Sequence, residues 1–449
     1  MSLLSLSHPR TATLIPILTC LVLGYLALCA ALRFRGIKNL QRRMGFVDRA
    51  SLQRMSNDEA QLILRHIIER EFPMVYELAL QFALFKPRRT SQIQSIPSRG
   101  GHPSSICLLM PDPWPSACPR WSNWFRTLTD TKTPLSSSQT TRRFSLNPPS
   151  SDRALKAIAR MNYLHSPYKA AGRISNEDFL YTLSVIVVEP IRFIRLYEWR
   201  PLTDMEVCAL GTFWKAVGDA MGIEYGGHLA RAGAWRDGIE FVEDVTAWAK
   251  SYELDAMRPA DSNVQSSRQL LKMMIWHVPG FAKSFVEQAF FALMGDRVRD
   301  AFLFPEPSIL ASAVVYNALL LRRFILRYFC LPRFGPKTFF SPQDPKTGRV
   351  QHYYYLVHPY YVPVTLWSRY GPTSWLTRIL GGIAPGDSDG MLPEGYLPED
   401  IGPRNKMGKG TEEMARDVAN LAGRNLGGCP FSFMREVWIV YVRLPVQEQ

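Results

Sequence analysis

This chain has little charge, no cysteine pattern and few of the short motifs that mark common chemistries. Each lack removes a class of function. Charged residues make up 20% of the 449 positions, below the roughly 25% of an ordinary soluble domain. The seven cysteines follow no regular spacing, and an odd, unpatterned set argues against a disulfide framework and for a reducing compartment. No Gly-x-Gly-x-x-Gly, Walker loop or His-Glu-x-x-His occurs, which argues against dinucleotide-binding folds, P-loop nucleotidases and zincins. No cysteine has the loop-and-glycine setting of a haem thiolate, and no paired Glu-x-x-His marks a di-iron bundle. The net charge of +14 is not gathered into a Lys/Arg run, and no zinc spacing or RNA-binding signature accompanies it, so nucleic acid is not the expected partner.

What is present points to a membrane. Leu14 to Leu32 is a nineteen-residue run without a charge, close to the roughly 20 residues that span a bilayer as a helix. Arg33, Arg35, Lys38, Arg42 and Arg43 follow it, and only His8 and Arg10 precede it. A run this long with basic residues after it is unlike a cleaved signal peptide, and the positive-inside rule places everything C-terminal to it in the cytosol. The expectation is a single-pass protein with residues 1–13 lumenal, 14–32 transmembrane, and the lipid bilayer as a partner.

Behind the anchor the spacing predicts an all-α protein: one large helical domain, with no alternating strand pattern and no internal repeat. Residues 33–85 form a basic juxtamembrane segment and a helix from Ser51 to Phe85, N-capped at Asn57-Asp58, with His66 on its surface. Residues 86–150 carry PSRGGHPSS, PDPWPSACP and TPLSSSQTT and show neither helical nor strand period, so this stretch reads as loop. Residues 151–433 form the main domain and 434–449 a tail. Within it Ser151-Asp152 caps a helix through Leu164. Ser175 with Asp178, and Thr203 with Glu206, are capping boxes opening two more. Trp235, Phe241 and Trp248 fall on core faces of a fourth, while Glu240, Glu243 and Asp244 give it a solvated or ion-paired face.

Two stretches admit two readings each. Ile309 to Leu321 is thirteen uncharged residues followed by Arg322-Arg323, too short to span. It reads first as a buried core helix, and alternatively as a helix lying on the membrane. HYYYLVHPYYVPVTLWSRYGPTSW, from His352 to Trp375, suits either a membrane interface or an aromatic loop packed on the core. Gly381 to Gly410 reads as an irregular wrap before a last helix within Lys406–Leu421.

The densest chemistry lies between Arg160 and Arg200. Leu180 to Val188 has no charge, so its helix is expected to be buried. Glu189, Arg192 and Arg195 follow at i, i+3, i+6 along one flank. Charges beside a buried run are either paired or functional. His165, at the end of the preceding helix, is either an iron ligand through a neutral imidazole or a cap for helix-terminal carbonyls. His228, His277, His352 and His358 are the other histidine candidates.

ALKAIARMNYLHSPY, GRISNEDFLYTLSVIVVEPIRFIRLYEWR, WRDGIEFVEDVTAWAKSYE, HPYYVPVTLWSRYGPTSWLTRILGG and LPEGYLPEDIGPRNKMGKG, in this order, resemble the fungal ER-bound oxygenases of the mycophenolic-acid pathway type. That family shares a catalytic domain with the bacterial rubber oxygenase, latex-clearing protein. The resemblance covers the anchor, Met44 to Phe85 and about Ser151 to Phe433. It implies an ER-membrane oxygenase of secondary metabolism that cleaves a carbon-carbon double bond in a prenyl or other lipophilic chain, using iron, as haem b or otherwise. In the bacterial enzymes a His in the buried apolar helix holds the haem iron; Ser184 takes that position here, so the ligand is substituted. His165 matches the other His of the pattern and Arg160 a basic position a turn earlier, with Glu189 and Arg192 as orienting groups around imidazole or dioxygen. Because the resemblance stops after Phe85 and resumes near Pro148, residues 86–150 are expected to come from a mispredicted exon or shifted frame. The substituted ligand also leaves an alternative: a non-catalytic helical membrane protein that binds a lipophile or scaffolds pathway enzymes.

Overall fold

The computed structural model describes residues 9–83, 85–86, 151–276, 278–353, 355, 358–388, 390–402 and 406–431. The expected lumenal stretch up to residue 8, the expected loop beyond Lys86, the tail at 434–449 and His277 lie outside these residues. The protein is all-α; among the described residues the extended pairings are the isolated bridges Phe340–His352 and Val350–Tyr396.

The elements run α1 (Pro9–Arg33), α2 (Arg35–Met44), α3 (Arg49–Leu52), α4 (Asn57–His66) and α5 (Pro73–Ala83), with a π turn at Ile67–Glu71 between the last two. After the gap come α6 (Asp152–Ala170), α7 (Asn176–Tyr197), α8 (Asp204–Ala220), α9 (Gly238–Ala256), α10 (Asp261–Met274), α11 (Gly280–Met294), α12 (Asp296–Ala301) and α13 (Ile309–Tyr328). The short α14 (Leu366–Tyr370) and α15 (Pro372–Ile379) precede an irregular stretch and α16 (Thr411–Ala422).

The core is built on α7 and α8. The uncharged run in α7 buries Leu180, Leu183, Ile186 and Val187, and α5 lies along it with Val75, Tyr76, Ala79 and Phe82 turned inward. Fully burying a side chain of this size contributes about 1.5–3 kcal/mol, so this face drives the pairing. α8 packs between α4 and α9. The α8–α9 contact needs glycine on both sides: a Cβ on Gly211 would run into the Gly238 carbonyl, and one on Gly238 into that of Cys208. The N-termini follow the spacing read from the sequence. Ser175 and Asp178, and Thr203 and Glu206, form reciprocal capping boxes, and Ser151 caps α6.

Three local expectations are corrected. The Ser51–Phe85 helix is broken into α3, α4, the π turn and α5, and α4 is capped by Ser56 with Glu59 rather than at Asn57-Asp58. His66 is not a surface residue. The π turn brings residue i+5 beneath residue i, so His66 Nε2 lies 3.3 Å from Glu71 Oε1 and both side chains are largely buried. The third concerns α13, which is not a buried core helix. It runs twenty residues, with Ala311 its buried position, and Ile309, Leu310, Leu320, Leu321 and Phe324 stand more than half exposed. It and the N-terminal helix are both long and apolar enough to cross a membrane. Its basic end docks on the body: Arg322 donates to the Tyr197 carbonyl and to Glu198, and Arg327 to the Trp199 carbonyl. The basic end of α13 thus holds it on the protein body while apolar side chains along the helix are left facing outward.

Candidate functional site

The sequence-predicted site residues fall into three settings along α6 and α7. Arg160 is completely buried. Its Nε donates to the Ile401 carbonyl at 2.7 Å, NH1 to that of Lys409 at 2.5 Å and NH2 to that of Lys406 at 2.8 Å. Burial depresses its basicity, with the tyrosine and carboxylates nearby opposing that. All three nitrogens are spent on carbonyls of the irregular stretch that follows α15. Arg160 therefore acts as a clamp on backbone that has no regular ladder of its own, instead of orienting the His165 imidazole.

His165, one turn on, is half-buried, with its ring edge-on to Phe179 at 5.2 Å between centroids. Burial pushes its imidazole down to about 4, so it is neutral at pH 7. Ser184 lies in the core of α7, fully buried, and its hydroxyl donates to the Leu180 carbonyl at 2.7 Å. This is the back-bond a serine makes inside a helix, and it engages the hydroxyl proton within α7.

Glu189 and Arg192 do meet, in a network the sequence did not reveal. Glu189 is buried; Arg192 donates to its Oε2 at 2.7 Å, and Lys86 Nζ lies 2.7 Å from its Oε1. Lys86 also reaches Glu253 of α9 at 3.0 Å, and the Tyr181 hydroxyl donates to the same carboxylate at 2.9 Å. Burial raises the Glu189 carboxyl, but Lys86 and Arg192 outweigh it and hold it below its ordinary range. Burial and Glu253 push the Tyr181 phenol up. Two cations and two carboxylates close a neutral cluster joining α5's end, α7 and α9. Lys86 was missed because it is 103 residues away in sequence from Glu189. The uncharged run ending in a lone glutamate was the available signal that a distant cation must exist.

The remaining histidines are dispersed. His228 Nδ1 is 3.9 Å from Glu177, His352 is buried against Phe340, and His358 lies near Trp276 and Tyr360. The acidic face of α9 is ion-paired: Glu240 with Arg236, Glu243 with Arg231, and Asp244 accepting from Trp235 Nε1.

Iron can be tested against these donors. Non-haem iron needs several protein ligands. Among the described residues no three His, Cys, Asp or Glu side chains are grouped to hold a metal ion, so they do not fit such a centre. Haem would need only one imidazole to hold it. His165 is of that type and in the right protonation state, whereas Ser184 is not.

The fold and donor set thus define an all-α protein with two membrane-compatible apolar helices and, in His165, a neutral imidazole beside its central helix. Residues 128–325 match the family described as ER-bound oxygenase mpaB/B'/Rubber oxygenase, catalytic domain. The chain is 33% identical to ER-bound oxygenase mpaB' of Penicillium brevicompactum, over 95% of this chain and 96% of that one. It is 31% identical to ER-bound oxygenase mpaB of the same fungus, over 85% and 86%. With ER-bound oxygenase mpaB of Penicillium roqueforti (strain FM164) it shares 35% over 64% of this chain and 89% of that one. The chain belongs to this oxygenase family.

Proposed function

We propose that this protein is an ER-membrane oxygenase that cleaves a carbon-carbon double bond in a prenyl or similar lipophilic chain in secondary metabolism. The observation that carries the reading is end-to-end similarity to a protein named an ER-bound oxygenase, with an apolar helix at the N-terminus. α1 anchors the chain, and the basic residues after Leu32 hold the body in the cytosol. An isoprenoid substrate partitions into lipid, each buried methylene contributing about 0.8 kcal/mol, so an anchored enzyme meets it at high local concentration. Haem, when bound, supplies the dioxygen activation that side chains lack. His165 is the residue that would hold it, its neutral imidazole needing no proton loss first. Phe179 fixes the ring plane, and Arg160 holds the 401–409 backbone against the same helix.

The test is the visible spectrum and metal content of the purified full chain, with His165→Ala beside it. A Soret band lost in that variant while helical content stays intact supports the assignment. A variant that keeps full iron and activity overturns it. One observation favours a second reading, a lipophile-binding protein without catalysis: the residue in the family's ligand position is a serine bonded to its own helix. A wild-type protein free of both haem and iron would decide for that reading.

A further inference from the structure

The two apolar helices converge on one cavity. α1 and α13 pack together, with the Tyr25 hydroxyl donating to the Phe329 carbonyl at 2.9 Å. Beside their basic ends opens a cavity of about 200 Å³ whose lining includes Arg33, Arg70, Arg322 and Arg333 against Glu71 and Glu198. The carboxylates are already engaged. Glu198 pairs with Arg322 at 2.9 Å, and Glu71 with His66 at 3.3 Å and Arg200 at 3.4 Å. Arg33, Arg70 and Arg333 have no carboxylate within ion-pair distance among the described residues. Arg33 is buried, its guanidinium stacked over Trp199 at 4.1 Å, with one terminal nitrogen donating to the Leu331 carbonyl at 3.4 Å. Its Nε is buried without a hydrogen-bond partner, a donor lacking the acceptor that such groups almost always have. Arg70 and Arg333 are exposed at the rim.

We propose that this cavity is a binding site for a phosphate group, the chemistry shared by an anionic lipid headgroup and free phosphate. Guanidinium forks match phosphate oxygens in pairs, and a buried Arg with a spare N–H flanked by two rim Arg is an acceptor-seeking arrangement. The depth favours the lipid as the source. Arg33 is the first charge after the run Leu14–Leu32, and Arg322 the first after Ile309–Leu321. If the first run spans the bilayer, the cavity lies at headgroup level. The choice of source rests on the membrane placement proposed above; the anion site itself does not.

The experiment is titration calorimetry on the full-length protein in a non-ionic detergent, with three probes: dihexanoyl phosphatidate, dihexanoyl glycerol and inorganic phosphate. Wild type is compared with Arg333→Gln, a rim change that leaves the core untouched, and with the double variant Arg33→Gln/Arg333→Gln. The expected result is saturable phosphatidate binding, no binding of the phosphate-free glyceride, and about a tenfold loss of affinity for each Arg removed. Phosphatidate binding at least about tenfold tighter than inorganic phosphate identifies the headgroup. Equal affinity with the same Arg dependence identifies the free ion. Absence of saturable binding by either, or affinities unmoved in both variants, overturns the site. Carbonate extraction of the wild type reads the membrane placement separately, so the two failures are distinguishable.

Discussion

The Lys86–Glu189 contact offers the sharpest test of how this fold is held together. Glu189 is 1% exposed and the Lys86 side chain 14%, so the pair sits where water screens little. Breaking a buried pair by removing one partner costs about 3–5 kcal/mol. Arg192 remains beside Glu189 after Lys86→Met, which puts that change just below that range, at about 2–3 kcal/mol. Glu189→Gln leaves Lys86 on Glu253 and the half-exposed Arg192 to solvent, so about 1–2 kcal/mol is expected. The double variant removes both charges together and should fall short of the sum by about 1–2 kcal/mol. Urea unfolding of the full chain in detergent, followed by far-ultraviolet circular dichroism, measures all four corners of the cycle. The pH dependence gives an independent sign. The Glu189 carboxyl is held below its ordinary value in the folded state. Its contribution is therefore complete above the unfolded value of about 4.3 and is lost as pH falls through the lower folded one. Wild type should lose stability through that acid window more steeply than Glu189→Gln. Additivity within about 0.5 kcal/mol, or equal acid slopes, would refute a coupled buried pair.

Other expectations follow from the same geometry. Arg160→Met strands three carbonyls of the irregular stretch and should cost about 3–5 kcal/mol, with limited proteolysis appearing first between residues 380 and 410. Gly211→Ala forces α8 off α9 and should destabilise by about 1–3 kcal/mol or more, read in the same urea assay. Deleting residues 1–35 should release the protein from carbonate-washed membranes as a soluble or peripherally bound product; unchanged resistance would make α13 the anchor. A glycosylation acceptor fused to the C-terminus should stay unmodified, and efficient modification would reverse the topology. A sequenced mature transcript encoding PSRGGHPSS would end the mispredicted-exon reading of residues 86–150.

What was legible in the sequence was local. Ser175 with Asp178 and Thr203 with Glu206 announce helix starts because a capping box is closed by residues three apart, and both boxes form. The uncharged run in α7 announces burial for the same reason: its evidence is contiguous. What could not be read depends on distant partners. Nothing near Arg160 in sequence shows that it holds Ile401, Lys406 and Lys409, more than two hundred residues away. His66 looked exposed because its partner is reached through a π turn, a register that helical periodicity does not anticipate. α13 misled in the opposite way. Its composition suits a core, and only the exposure of its apolar side chains among the described residues shows otherwise.

The distribution of charge connects these observations. A chain poor in charge nevertheless buries Arg160, Glu189, Arg200 and Glu206, and several of the buried ionic groups are paired. Lys86 and Arg192 answer Glu189 and Glu253, and Arg200 bridges Glu206 and Glu71. Arg160 is matched to carbonyl dipoles instead. Balance of this kind is what burial demands, since an uncompensated ion inside costs several kcal/mol. It follows that the net +14 cannot be stored in the core. The surplus belongs to the surface and to the stretches outside the described residues, and the described part gathers some of it where α1 and α13 end. Arg33, the one buried member of that group, is, like Arg160, without a carboxylate within ion-pair distance among the described residues, and it has an aromatic face and one carbonyl where Arg160 has three. A buried guanidinium with so few partners is the state that an anion from outside the chain would complete.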